Sequence, residues 1–319
     1  MAMDHDLVAA HLAFEDPRLG IRECFLTPEI GGARTVAVLS RPLFEPTSEP
    51  ASIGWVICSS LAMEQLYLQP VEVSLARRLA ASGFPVLRFH GQGYGDSELE
   101  TAHIGLGSHV EDAAHAAGVL ARTAGVQRIG LIGARFGATV ATLAATEAGA
   151  AALVLLQPVT RGLPYMQSLM GTSFAAGLPD GGRHVGAPAE GPAGADVVDV
   201  DGFGLRRGAI EEISALDLVR EPFAFSGRSL VVQISRSPGL QTDVRHLTRR
   251  LAEAGGKSES LALVDPDALK FGLPRYRKLP DGRTVDTQAR LTERVVGRVL
   301  SWCAEFAAAA SPAGVSDLG

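Results

Sequence analysis

The sequence predicts an α/β protein built on a mostly parallel sheet. Three observations carry this. Short apolar runs alternate with segments of helical periodicity along most of the chain. Several of these handovers are marked by glycine. The composition, 46% hydrophobic and 20% charged, suits a chain with a packed core.

In chain order, the segment around 24–26 reads as an edge strand pairing antiparallel. Residues 35–40 (TVAVLS) and 52–58 (SIGWVIC) read as strands, the second fully buried. Residues 71–83 have apolar spacing near 3.6 and end on Gly83, a helix with a glycine stop. A strand at 85–89 and an alanine-rich helix at 110–124 follow. Then come a strand at 128–132, a helix at 136–147 and a strand at 152–156. Further on, strands are expected at 229–234 and 260–264, with helices at 241–254 and 286–309, for roughly eight strands in all.

One stretch departs from this alternation. Residues 171–194 are rich in Gly, Pro and Ala and read as a mobile loop. A short strand at 195–200 and a short helix at 208–215 follow it. The expected organisation is therefore a core of 1–160 and 227–309, a lid insertion of 161–226 and a disordered tail of 310–319. An insertion at the C-terminal edge of a parallel sheet covers the ligand crevice.

Charge and cysteine content exclude several function classes. The 29 basic and 35 acidic residues give a net charge of −6, with no basic stripe for nucleic acid. Three widely spaced cysteines, Cys24, Cys58 and Cys303, offer neither a disulfide framework nor a zinc motif. The histidines His103, His109 and His115 are too irregularly spaced for a metal site, so no metal and no cofactor are expected. The first 17 residues lack a basic n-region and an apolar h-region, and no run approaches a membrane span. The expectation is a cytoplasmic protein.

The informative motif lies at 128–145, RIGLIGARFGATVATLAA. A strand runs into Gly133-Ala134-Arg135-Phe136-Gly137 and then into a helix. This resembles the nucleophile elbow, G-x-S-x-G, of the α/β-hydrolase superfamily, with Arg135 at the serine position. The stretch 84–98, FPVLRFHGQGYGDSE, is similar to the family's strand and R-G-x-G-x-S loop. It carries His90 where many relatives have Asp, and Gln92 where they have Arg. The stretch 153–165, LVLLQPVTRGLPY, resembles the strand-to-lid junction of a bacterial subgroup. That subgroup, hydrolases associated with exosortase gene clusters, also tends to carry Arg at the elbow. The resemblance implies an α/β-hydrolase fold with an inserted lid. Activity does not follow from it, because fold does not fix function.

The chemistry expected at the elbow is altered. A guanidinium stays protonated and has no lone pair, so Arg135 cannot form an acyl-enzyme. The family's late histidine is also missing, because the loop at 265–272 contains none. Arg135 then either grips a substrate anion or is plugged by an internal salt bridge to Glu64 or Asp96. Glu64 is a general base or that counter-ion. His90, at a strand end, is the candidate for proton transfer. Ser59 and Ser60 either hydrogen-bond a ligand oxygen or serve the turn. Phe136 and Gln157 flank the elbow, and Leu163, Met166 and Met170 form the expected apolar wall of a lid helix.

These residues point to an enzyme acting on a small acyl, ester or carboxylate-bearing substrate without a serine nucleophile, including a non-hydrolytic step of specialised metabolism. The competing reading is a catalytically inactive hydrolase-like binding or partner protein. The expected partner is a small molecule with an anionic or polarised oxygen group. A homodimer is left open, and neither nucleic acid nor a membrane span is expected.

Overall fold

The computed structural model describes residues 12–44, 53–176, 196–200, 202–222, 224–266, 268, 271 and 276–309. The main sheet has nine strands. They are β1 (Ala13–Asp16), β2 (Ile21–Leu26), β3 (Ala37–Pro42), β4 (Gly54–Cys58), β5 (Val86–Phe89), β6 (Ile129–Ala134), β7 (Ala150–Leu156), β8 (Arg228–Ser235) and β9 (Lys257–Val264). Their spatial order is β1-β2-β3-β5-β4-β6-β7-β8-β9. The first three strands and β5 pair antiparallel. From β5 onward every pairing is parallel.

This order follows from burial. All five residues of β4 (GWVIC) and all six of β6 (IGLIGA) are buried, as central strands covered on both faces require. Five strands precede the elbow turn and three follow the strand that bears it, so the turn sits at the middle of the sheet's C-terminal edge.

Seven helices are used below: α1 (Met63–Ala81), α2 (Leu106–Ala124), α3 (Phe136–Ala144), α4 (Gly162–Ala176), α5 (Arg207–Ala215), α6 (Thr242–Glu253) and α7 (Thr287–Ala308). One core joins the sheet to α2 and α3 through residues such as Leu131, Leu155, Phe136 and Leu120. The other joins it to α1 and α7 through Trp55, Leu75, Val299 and Trp302.

Several boundaries differ from the sequence expectation, and the reasons are physical. There are nine strands rather than eight, because the polar segment AFED forms edge strand β1 through ladder bonds to β2 rather than by hydrophobic pattern. Helix α1 starts at Met63 and passes through Pro70, where sequence reasoning begins it after that proline. This brings Glu64 onto the first turn, the favourable end of the helix dipole for an acid. Helix α4 runs to Ala176, so residues 171–176 are helical rather than loop. The rest of the expected mobile loop, 177–194, lies outside the described residues, as does the tail 310–319. Between β7 and β8 the chain also forms an antiparallel ribbon, Val197–Val200 with Phe203–Arg206, leading into α5.

Candidate active site

Three non-glycine residues among those described have positive φ: Ala62 (49°), Arg135 (54°) and Gln157 (48°). They follow β4, β6 and β7, three adjacent parallel strands, at the edge where the sheet meets α1, α3 and α4. Such backbone costs about 1–3 kcal/mol per residue and clusters where geometry serves a site. The turn at Arg135 is held by Arg135 N–H donating to Leu156 O at 2.8 Å and Val159 N–H donating to Arg135 O at 3.3 Å.

Two glycines make this turn possible. A Cβ at Gly133 would lie 2.1 Å from the Gly137 carbonyl oxygen. One at Gly137 would lie 2.1 Å from the Cys58 carbonyl oxygen. Strand β6, helix α3 and the end of β4 are therefore in backbone contact. The third residue of the motif, Arg135, is left projecting from the helix N-cap.

A cation at a helix N-terminus costs roughly 0.3–1 kcal/mol. Glu64 offsets it. Arg135 Nε donates to Glu64 Oε1 at 3.0 Å. Glu64 Oε2 accepts from Ser60 Oγ and from the Tyr165 hydroxyl, each at 2.8 Å. The carboxylate thus receives three hydrogen bonds, two of them from buried side chains. Tyr165 stacks on Phe136 with centroids 5.8 Å apart, and the Arg135 guanidinium lies 5.7 Å from the Tyr165 ring centroid. Burial, reinforced by the Glu64 charge, pushes the Tyr165 hydroxyl well above the usual phenol range, so it remains a donor.

Among the described residues, neither terminal nitrogen of Arg135 has a hydrogen bond. Arg135, Glu64 and Gln157 line a cleft of about 630 Å³. Leu68, Leu169, Ile234 and Phe271 supply apolar surface, and Gln233 and Arg236 supply polar surface. Gln157 accepts from Ile234 N–H at 2.5 Å, which leaves its amide N–H₂ as a donor. Both Gln233 groups are engaged, with Gly239 O at 3.0 Å and Gln241 N–H at 2.6 Å. The cleft therefore offers mainly donors, and Glu64 is its one lining carboxylate among the described residues.

The expected site residues divide into two groups. Arg135, Glu64, Ser60 and Gln157 come together. His90 does not join them: it ends β5, on the far side of β4 from β6, and lines a different cavity. Its Nδ1 lies 3.3 Å from Asp96 Oδ2, so Asp96 neighbours His90 and not Arg135. Ser59 lines that other cavity too. Phe136 and Met166 are fully buried packing residues, and Leu163 and Met170 are exposed away from the cleft. Turning α4 by its real helical phase directs Leu169, not Met166 or Met170, to the cleft wall.

Sequence reasoning passes over Tyr165, Gln233 and Arg236. Tyr165 is 101 residues from its partner Glu64, and no local spacing signals that contact. Arg236 follows β8, where a strand-end position on the cleft edge is the one available signal. A buried histidine, His109, packs edge-on to Phe136 at 5.3 Å beneath the turn. Burial holds it below the usual imidazole range, hence neutral.

No family model and no curated protein matches the chain. Solved structures do. Est1E from Butyrivibrio proteoclasticus, solved with ferulic acid bound, gives a TM-score of 0.54 at 16% identity, covering 88% of this chain and 98% of that one. An esterase from Pyrococcus furiosus gives 0.57 at 12% identity, covering 92% and 94%. A fungal esterase from Rhizomucor miehei gives 0.50 at 13% identity, covering 94% and 88%. The fold is that of the α/β hydrolases, and at these identities the likeness extends to the fold alone.

Proposed function

We propose that this chain is an α/β-hydrolase-fold enzyme that takes a small acyl, ester or carboxylate-bearing substrate without a serine nucleophile. The observation that carries the reading is the state of Arg135. Its Nε is fixed by Glu64 while its terminal nitrogens, without protein partners among the described residues, belong to a residue lining a 630 Å³ cleft. A guanidinium pre-oriented in this way binds a carboxylate or polarised carbonyl oxygen in a planar fork. Desolvation of that oxygen by Leu169, Ile234 and Phe271 strengthens the interaction. The chemistry then proceeds by polarising the substrate, with no acyl-enzyme. The resemblance to a bacterial subgroup of hydrolases with Arg at the elbow is consistent with this reading, and a non-hydrolytic step of specialised metabolism is included in it. Within the expected lid of 161–226, the described elements α4, the antiparallel ribbon and α5 are the part we assign to it.

A second reading, a hydrolase-like protein that binds without turnover, is favoured by one observation. Glu64 accepts on both oxygens, so the one lining carboxylate is committed as a counter-ion rather than free as a base. The test is calorimetric titration with phenylacetate and phenylacetamide, paired with product detection by NMR on a panel of esters, thioesters and carboxylates. Binding of the acid at least about tenfold tighter than the amide is expected. Equal binding overturns the anion site. Anion binding with no product across the panel selects the second reading. Arg135→Ser restores the elbow sequence, yet no histidine is among the described residues lining the cleft, and the variant is expected to gain no esterase activity.

A further inference from the structure

We infer that the groove between α1 and the antiparallel half of the sheet is a second binding site, for a small monocarboxylate with a short apolar tail, its carboxylate received by Arg88. The groove encloses about 400 Å³ and shares no lining residue with the Arg135 cleft. It therefore stands or falls independently of the function proposed above.

Its floor is apolar and its inner end is charged. Phe25, Val36 and Val38 come from β2, β3 and the turn before β3. Phe25 is 47% exposed although it lies inside a groove, so a ligand tail would remove real apolar surface from water. Arg88 on β5 meets Glu23 on β2, with Nη2 3.4 Å from Oε1. Glu23 is already saturated. Its Oε1 accepts from Ser40 Oγ at 2.9 Å, and its Oε2 accepts from Arg77 Nη2 at 2.6 Å and Nε at 3.0 Å. Arg88 is left with a long, shared contact and a buried Nε that has no hydrogen bond. Glu72, on the adjacent turns of α1, is buried with an unpartnered Oε1.

The charge arithmetic follows. Arg77 takes the close contacts of Glu23 and also meets the charge of Asp16 on β1, which leaves Arg88 and Glu72. Burial pushes the Glu72 carboxyl up to about 8, with Arg88 opposing that shift only in part. At neutral pH Glu72 is mostly protonated, so Arg88 keeps only its 3.4 Å contact with the Glu23 oxygen that Ser40 already fills. Among the described residues lining the groove, the one further carboxylate is Asp96. Cys58 on β4 stays a neutral thiol, because burial pushes it up. His90 at the mouth adds no negative charge and faces Asp96, which is largely exposed. A carboxylate meets Arg88 as anion to cation and accepts the O–H of protonated Glu72. An amide or alcohol of the same shape lacks the charge.

Hexanoate and hexanamide titrated into the Arg135→Ala full-length chain test this. One saturable hexanoate site is expected there, with hexanamide at least about tenfold weaker. Arg88→Gln in the same background should weaken hexanoate at least tenfold. Gln69→Trp should do the same, since Gln69 is an exposed residue of the groove lining whose replacement blocks entry without touching the charges. Affinity should fall as pH rises through about 8, and Glu72→Gln should remove that fall. Absence of a hexanoate site in Arg135→Ala overturns the proposal. So does hexanoate binding that survives Gln69→Trp, which remains decisive if Arg88→Gln does not fold.

Discussion

Glu64 and Glu72 stand on the same helix, each next to an arginine carried by the sheet or its edge. Glu64 collects three donors, Arg135 Nε, Ser60 Oγ and the Tyr165 hydroxyl, and keeps solvent contact through an 18% exposed side chain. Glu72 is buried with one oxygen unpartnered, near an arginine whose attention is divided with Glu23. The first has both oxygens hydrogen-bonded. The second resolves the same conflict by holding its proton. An acid beside an arginine is thus not one motif but two, and at Glu72 it is burial that raises the carboxyl. The elbow cleft contains a directly hydrogen-bonded pair, whereas the groove contains an acid that burial pushes up to about 8.

The largest expected loss of stability breaks the Glu64 side of this comparison. Glu64→Leu leaves the Arg135 cation at a helix N-terminus without its counter-ion and strips the acceptor from two buried hydroxyls. A loss of about 3 kcal/mol in urea unfolding is expected. A loss below about 1 kcal/mol would mean that the network contributes little. Next comes the Glu72 side. Its folded pKa of about 8 lies above the ordinary 4.5. The folded state therefore binds the proton more tightly than the unfolded chain. The contribution of Glu72 to stability is full below 4.5, falls as pH rises and is gone above about 8. Glu72→Gln should flatten that slope and leave the variant more stable than the parent above that window, by up to about 5 kcal/mol. Parallel stability–pH curves for parent and variant would refute the assignment.

How much of this was legible in the sequence depends on the range of the interaction. The elbow was legible because its requirements are local: two glycines at fixed spacing, forced by backbone contacts of 2.1 Å for any added Cβ. The parallel core was legible because β4, β6 and β7 read as buried apolar runs. Glu64 as the counter-ion of Arg135 could be named, since both lie on turns that follow neighbouring strands. Tyr165 could not, since its approach depends on how α4 leaves β7, which no spacing encodes. His90 was misplaced for a related reason. The order of strands across the sheet puts β4 between β5 and β6, so the histidine and the elbow open into different cavities. β1 was invisible, because ladder bonds rather than pattern hold it.

A smaller effect sharpens the contrast at the elbow. Arg135→Lys keeps the charge and loses the planar fork. The ammonium can still pair with Glu64, so stability should change by less than about 1 kcal/mol. Phenylacetate affinity should nonetheless drop about tenfold, because two parallel donors are replaced by one point charge. Unchanged affinity would show that Arg135 serves only as a partner to Glu64.

The smallest effect isolates one bond. Tyr165→Phe deletes the hydroxyl that donates to Glu64 Oε2 at 2.8 Å and leaves the ring stacked on Phe136. Glu64 retains Ser60 and Arg135, and its partial exposure lets water take the vacated lone pair. The cost should therefore sit near 1 kcal/mol, below the range of about 1.5–3 kcal/mol for a fully buried bond to a charge. With the tyrosine gone, one Glu64 oxygen is released and Arg135 is less firmly aimed. Phenylacetate should bind two- to threefold more weakly, with no change in its preference over phenylacetamide. A double-mutant cycle with Ser60→Ala separates the two donors. If they act through the same carboxylate, the double loss exceeds the sum of the single losses by about 0.5 kcal/mol or more. Strict additivity would mean that Tyr165 holds Phe136 in place and contributes nothing through Glu64.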